Sequence, residues 1–457
     1  MAVADSVVAV VAVINQKEGN PVIKKKPKSV SKALATATCA LLGTTAMPVQ
    51  AQEEPAWEFN TALLYYGEDD DRVQDVSIAL LARRLFADDK ILTLGLTVDS
   101  LTGATPVGAA PLDVVQTITR PSGNSTYDVA PDTLPLDDTF LDTRYAFNAS
   151  WQQPLGRLYN GNVGISFSKE YDYVHSGVNA GISRDFNKKN TTVSLGFALS
   201  KDDIEPIGGT PMALTPMLDV GDLSNRLGNE TKDVVDLLFG VTQVISRNLL
   251  VQVNYSYSDS SGYLSDPFKI LSVVDPITGD TLPRVPTPGV DGPSHQFLFE
   301  GRPDERVKHS LYTQAKYYMS GKVLDISYRY MTDDWDIDSY TVDARLKFPI
   351  GNSSYIEPHV RFYTQTEANF YRATLSAGEP LPLFASADYR LGNFDALTAG
   401  AKYGWKTGSG HDISFRLEYY MQDGDVPSGQ LIGNQLQRDM YPGLNAIIFN
   451  FSYGFGL

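Results

Sequence analysis

The last thirteen residues, Asn445 to Leu457 (NAIIFNFSYGFGL), constrain the fold more than any other stretch. From Ile447 every second residue is apolar: Ile447, Phe449, Phe451, Tyr453, Phe455 and Leu457. Asn450, Ser452, Gly454 and Gly456 lie between them and are small or polar. A period of two puts the two sets on opposite faces of a strand. Rings on one side and small polar groups on the other suit a closing strand of a membrane barrel, with lipid outside and water inside.

No apolar run approaches the ~18 residues that a membrane-crossing helix needs; the longest, Val7 to Ile14, is too short. Tyr-rich alternating segments recur along the chain, which has 25 Tyr and 20 Phe, and helical periodicity hardly appears. These features predict an all-β protein, a transmembrane antiparallel up-and-down β-barrel of about sixteen strands preceded by a signal peptide.

Residues 1–51 read as the signal peptide and leader. Lys24, Lys25, Lys26, Lys28 and Lys32 precede a mildly apolar stretch from Ala33 to Val49, and Val49-Gln50-Ala51 fits cleavage after Ala51. Residues 52–457 are then the barrel. Cys39, the one cysteine, lies in the leader behind a poor lipobox, so no disulfide is expected. The formal charge of the chain is −16. Six Lys against Asp5 and Glu18 give the leader +4, which leaves −20 for the remainder and argues against nucleic-acid binding. Outer-membrane lipid and lipopolysaccharide are the expected neighbours, with the barrel-assembly machinery engaging the C-terminal strand.

Connections alternate in length. Those after Phe86, Gln152, Phe186, Ile245, Met319, Phe348 and Trp405 are tight, while the long inserts, 102–139, 202–229 and 259–305 among them, fall in the other class. Short periplasmic turns and long outer loops produce this two-beat pattern. No plug domain fits between Gln52 and Trp57.

If the apolar set faces lipid, the candidate pore-lining charges are Lys316, Arg329, Arg345, Lys347, Arg361, Lys402 and Arg416 on later strands, with Asp75, Asp99, Asp142 and Asp236 on earlier ones. A basic wall facing an acidic one would select solutes by charge; the same residues could instead be ladders, with Arg345 beside Asp343 and Arg416 beside Glu418. The acidic loops 68–71, 333–338 and 423–425 lack the spacing of a Ca²⁺ loop, so neither a metal nor a cofactor is expected. Trp335 reads as an interfacial anchor. His175 and Ser176 point to opposite faces of one strand and cannot pair. His295, His309, His359 and His411 have no partner that spacing nominates, so an enzyme is not expected.

The runs YSYSDSSGYLSDPFK (255–269) and YRYMTDDW (328–335) resemble the bacterial outer-membrane proteins of domain-of-unknown-function family 3570. The resemblance implies a β-barrel in the outer membrane of a Gram-negative bacterium and supplies no substrate, active site or cofactor. Against the wider barrel class, Leu457 stands where an aromatic is usual, and Phe455 keeps the same face. The reading is a porin-like channel or passive transporter for small polar or charged solutes. The alternatives are a non-conducting barrel, filled by inward loops, that docks a periplasmic, surface or lipoprotein partner, and an outer-membrane hydrolase.

Overall fold

The computed structural model describes residues 57–69, 72–103, 105–136, 141–427 and 429–457; the expected leader and its cleavage site lie outside them. Sixteen antiparallel strands, each hydrogen-bonded to its neighbours in sequence, close into one barrel. In chain order they are β1 (Trp57–Glu68), β2 (Gln74–Leu85), β3 (Ile91–Thr102), β4 (Leu141–Pro154), β5 (Tyr159–Lys169), β6 (Tyr173–Phe186), β7 (Thr191–Ile204) and β8 (Glu230–Ser246). The second half comprises β9 (Leu249–Gly262), β10 (Glu305–Met319), β11 (Lys322–Asp333), β12 (Asp338–Ile350), β13 (Ser354–Gln365), β14 (Asn393–Lys406), β15 (Asp412–Asp425) and β16 (Leu444–Gly456). The barrel closes where β16 pairs with β1, from Glu58 opposite Gly456 to Glu68 opposite Ala446.

Alternation in sequence becomes alternation in burial, with the polarity of a water-soluble protein reversed. On β8, Asp236 is 2% exposed, while its neighbours Leu237 and Phe239 are 44% and 47% exposed. Ile78, Leu195 and Val360 likewise stand open on the outer surface. With hydrocarbon outside, apolar residues belong outward and backbone polar groups are satisfied only by closing the sheet.

The tight connections all lie at one end, and a girdle of aromatic side chains surrounds that end. Phe59 stacks on Phe455 at 5.2 Å between centroids, Trp405 on Phe415 at 5.7 Å, and Phe86 meets Trp151 at 5.4 Å. Arg84 and Arg184 point outward here, their guanidiniums lying 4.8 Å from the Phe86 ring and 4.6 Å from the Phe186 ring. Such rings, with cations resting on them, sit at the boundary between hydrocarbon and headgroups.

The long connections gather at the other end, where they form a folded cap with strands of its own. Gln116–Thr119 pairs with Thr126–Val129, and Ile270–Val274 lies between Phe297–Phe299 and Leu375–Ser376. Loops rooted far apart on the rim touch. Ile270, in the loop after β9, donates its N–H to Val107 O in the loop after β3 at 2.9 Å, and Asn434 N, after β15, reaches Thr278 O at 2.7 Å. Since β3, β9 and β15 are spread around the circumference, loops that meet from all three must cross the opening. Their contacts are apolar as well. Val107, Ile118, Met217, Ile270, Phe297 and Phe299 form one core of the cap. In a second, Tyr389 and Tyr441 pack onto the inward-facing Tyr66, Tyr363, Phe394 and Tyr420 of the rim.

Candidate functional site

The inner wall is divided by side-chain size. On β4 to β6 the inward residues include Asn148, Ser166, Gly177, Asn179 and Gly181, all small and only half-buried. Half a turn around the barrel, β12 to β15 present long charged side chains packed into a continuous network. Arg345 Nη2 donates to Asp343 at 3.1 Å, and Arg416 Nη1 donates to Glu418 at 2.8 Å while its Nη2 reaches Glu357 at 3.3 Å. His359 joins the halves, with Nε2 at 2.8 Å from Asp343 and Nδ1 at 2.8 Å from Glu418. The second contact spans from β13 to β15 over Gly400 of β14. A Cβ on Gly400 would come within 2.6 Å of Glu418 Cγ, so only glycine leaves room for the bridge.

All eleven charges singled out from the sequence face the interior. Arg345, Arg361, Arg416, Asp75, Asp99, Asp142 and Asp236 are buried to 6% exposure or less and Lys402 to 9%, while Lys316, Arg329 and Lys347 are half-buried. Lys316 pairs with Asp325 at 3.6 Å, Lys347 lies over the Tyr355 ring at 4.3 Å, and Arg329 over Tyr312 at 5.8 Å. Lys402 faces Glu357 in the register and Arg361 faces Asp343. On the other wall Asp75 accepts from Ser77 at 2.8 Å, and Asp99 pairs with Arg144 at 3.0 Å. Asp142 accepts from Tyr171 N at 3.3 Å, and Asp236 stands opposite Ser258. Lys316, Lys402, Arg345, Arg361, Arg416 and Asp99 thus each have an opposite charge beside or across from them.

Cross-strand partners that spacing along the chain does not reveal also appear. His175 Nδ1 lies 2.6 Å from Asp202 on β7, and its Nε2 lies 3.0 Å from Ser166 Oγ on β5. Lys232 Nζ and Tyr173 OH also bind Asp202, at 2.6 and 2.5 Å. Asp142, Glu170 and Asp172 form a carboxylate trio with ligand atoms within 4.8 Å of one another, and Arg144 lies 3.8 Å from Glu170.

Trp335 corrects the expectation of an interfacial anchor. It is 3% exposed inside a cap core, edge-on to Phe370 at 5.0 Å, and its Nε1 donates to Glu305 O at 3.0 Å. Asp333, in the same acidic loop, binds Arg306 and accepts from the N–H groups of Trp335 and Ile337.

The cap has its own buried ion cluster. Arg302 Nη2 meets Asp388 at 2.8 Å, and Arg390 Nη2 meets both Asp388 and Asp266 at 2.6 Å. Glu300 accepts from Ser386, and Lys269 donates to Thr105 and Pro106 O at 3.0 and 2.5 Å. Burial pushes all three carboxyls up. Around Asp388 and Asp266 the Arg390, Lys269 and Arg302 charges reverse that push and hold both below the ordinary range. Burial still leads at Glu300, which stays above it. The two depressed aspartates contribute stability that is complete above their unfolded value of about 4 and is lost as pH falls through their folded values. Glu300 has the opposite sign, its contribution being lost as pH rises through its folded value. The cap should therefore hold in mild acid and loosen only below about pH 4. Trp335 emission, isolated by difference from Trp335→Phe, should shift red there and stay constant at about pH 5.

A closed antiparallel cylinder with an apolar exterior, a charged interior, short turns at one end and long loops at the other is a transmembrane β-barrel of the outer-membrane type. The chain belongs to the family described as Protein of unknown function (DUF3570), which matches residues 31–455, in agreement with the resemblance carried by 255–269 and 328–335. No curated protein matches it. Among solved structures it is similar to the ferric enterobactin receptor PfeA of Pseudomonas aeruginosa, at 8% identity and a TM-score of 0.40, over 84% of this chain and 55% of that one. CdiB from Acinetobacter baumannii aligns at 10% identity and a TM-score of 0.41, covering 88% and 61% of the two chains. OccK5 (OpdH) of Pseudomonas aeruginosa aligns at 8% and 0.38, covering 88% and 98%. The chain spans little more than half the length of the receptors it matches. Likenesses of this strength carry nothing about function.

Proposed function

We propose that this protein is a channel for small polar or charged solutes in the outer membrane of a Gram-negative bacterium, closed at rest by its outer cap. The observation that carries the reading is the division of the inner wall. Half-solvated Asn148, Ser166, Gly177, Asn179 and Gly181 leave space opposite a charged wall, and a passage for hydrated solutes needs both. The cap is what favours the second reading, a sealed barrel acting as a scaffold for a periplasmic or lipoprotein partner, because loops from β3, β9 and β15 meet over the opening.

Planar-bilayer conductance of the refolded chain and of Asp388→Ala separates the two readings. Removing Asp388 leaves Arg302 and Arg390 without their shared carboxylate and loosens the cap. The channel reading expects a quiet unmodified protein and discrete steps from the variant. Silence in both would leave the scaffold, and large steady steps from the unmodified protein would show that the cap does not close the mouth.

A further inference from the structure

We propose that Ser166, His175 and Asp202 form a serine-nucleophile site inside the barrel, directed at small carboxylic esters that enter the lumen. The three side chains come from the consecutive strands β5, β6 and β7 and meet in the order nucleophile, base and orienting acid. Ser166 Oγ lies 3.0 Å from His175 Nε2, and His175 Nδ1 lies 2.6 Å from Asp202 Oδ1. An ionised carboxylate only accepts, so Nδ1 carries the proton toward Asp202. In the neutral ring this leaves the Nε2 lone pair for the Ser166 hydroxyl, the arrangement that general-base activation of a serine requires.

Two features set this group apart from the other polar clusters of the interior. His359 lies between two carboxylates and has no nucleophile beside it, whereas His175 has a hydroxyl on its free side. The residue opposite Ser166 in the register is Gly177, where a Cβ would fall 2.6 Å from Ser166 Oγ and 3.3 Å from His175 Nε2. With no side chain there, the imidazole leans across to the serine. Ser166 itself is half-buried and open to the lumen, while His175 and Asp202 are buried behind it. Lys232 and Tyr173 fix the second carboxylate oxygen of Asp202 and so hold its orientation.

The chemistry balances without a cofactor. Ser166 Oγ attacks the ester carbonyl carbon as its proton passes to His175 Nε2. Collapse of the tetrahedral adduct breaks the bond to the alkoxy oxygen, and the alcohol leaves with that proton. Water, deprotonated by the same nitrogen, then attacks the acyl-serine; Ser166 Oγ recovers the proton and the carboxylic acid is released. Asn179, two residues beyond Gly177 on the same inward face and lying over Gly164, is the side-chain amide that the proposal assigns to the oxyanion. Ser166 and His175 are the catalytic residues, and Asp202 is a positioning residue.

The test uses the full refolded chain in detergent with a fluorophosphonate probe and p-nitrophenyl butyrate, and does not depend on whether the barrel conducts. Mass mapping should place the phosphonyl group on Ser166. Labelling and butyrate turnover should vanish in Ser166→Ala and fall about a hundredfold or more in His175→Gln. Asp202→Asn should displace the pH profile of labelling as well as slow it. Ser176→Ala, on the outer face beside His175, should label normally, and heat-modifiable gel mobility verifies the fold of each variant. Labelling that persists in Ser166→Ala overturns the proposal. So does an absence of labelling both in the unmodified chain and in Asp388→Ala, whose cap is loosened.

Discussion

Arg416→Ala is expected to destabilise the barrel by about 3–5 kcal/mol, measured by urea unfolding from phospholipid vesicles. Arg416 is 2% exposed and serves both Glu418 and Glu357, and Glu418 in turn holds His359. Truncating it takes the guanidinium from the fully buried Glu418 and from the partly buried Glu357. The cost is that of the uncompensated charges and not of the lost contacts, which a double variant can show. Arg416→Met with Glu418→Leu removes both charges of the closer pair, and its destabilisation should be well below the sum of the two single changes. Additive losses would mean that the two residues act independently and that the network is no unit.

The second large effect lies on the outer surface. Ile78→Arg should cost about 2–4 kcal/mol by the same measurement. Ile78 is 60% exposed near the middle of β2, between Leu63 of β1 and Val98 of β3, where a guanidinium would face hydrocarbon. The native chain supplies the contrast, because Arg84, on the same face and strand, rests on the Trp57 and Phe86 rings at the girdle. Arg84→Ile should therefore change stability by less than about 1 kcal/mol. Equal penalties at the two positions would remove the hydrocarbon slab from around the barrel.

The barrel was legible in the sequence because lipid imposes its demand residue by residue. Whatever stands beside Phe239 or Val360, the outer face has to be apolar, so all sixteen strands and the seven tight turns could be read from the period of two. The cap was much less legible. Its inserts are rich in Pro, Gly, Thr and Asp, and their cores come from short runs such as Ile270–Val274 and Phe297–Phe299, whose partners lie in other loops. Those runs were the available signal, since a polar loop has little reason to carry two phenylalanines two residues apart. Trp335 was misread for the same reason: an aromatic in an acidic run looks interfacial until Phe370 and Leu391 are brought to it. Within-strand pairs such as Arg345–Asp343 and Arg416–Glu418 were legible, but the cross-strand members of the inner clusters failed on register. That His175 meets Ser166 and Asp202, or that His359 reaches Glu418 over Gly400, depends on how far each strand slides along the next, which composition does not encode.

The pairing of β1 with β16 also governs how the chain reaches this state. Thr61 Oγ1 donates to Tyr453 O across 392 residues of sequence, so the first strand waits for its mate until the sixteenth has been made. A nascent polypeptide stopped anywhere short of Leu444 presents two bare edges, each a template for a stray neighbour. Closing the seam joins the two ends of the sheet, and until it happens both margins stay open to stray pairing.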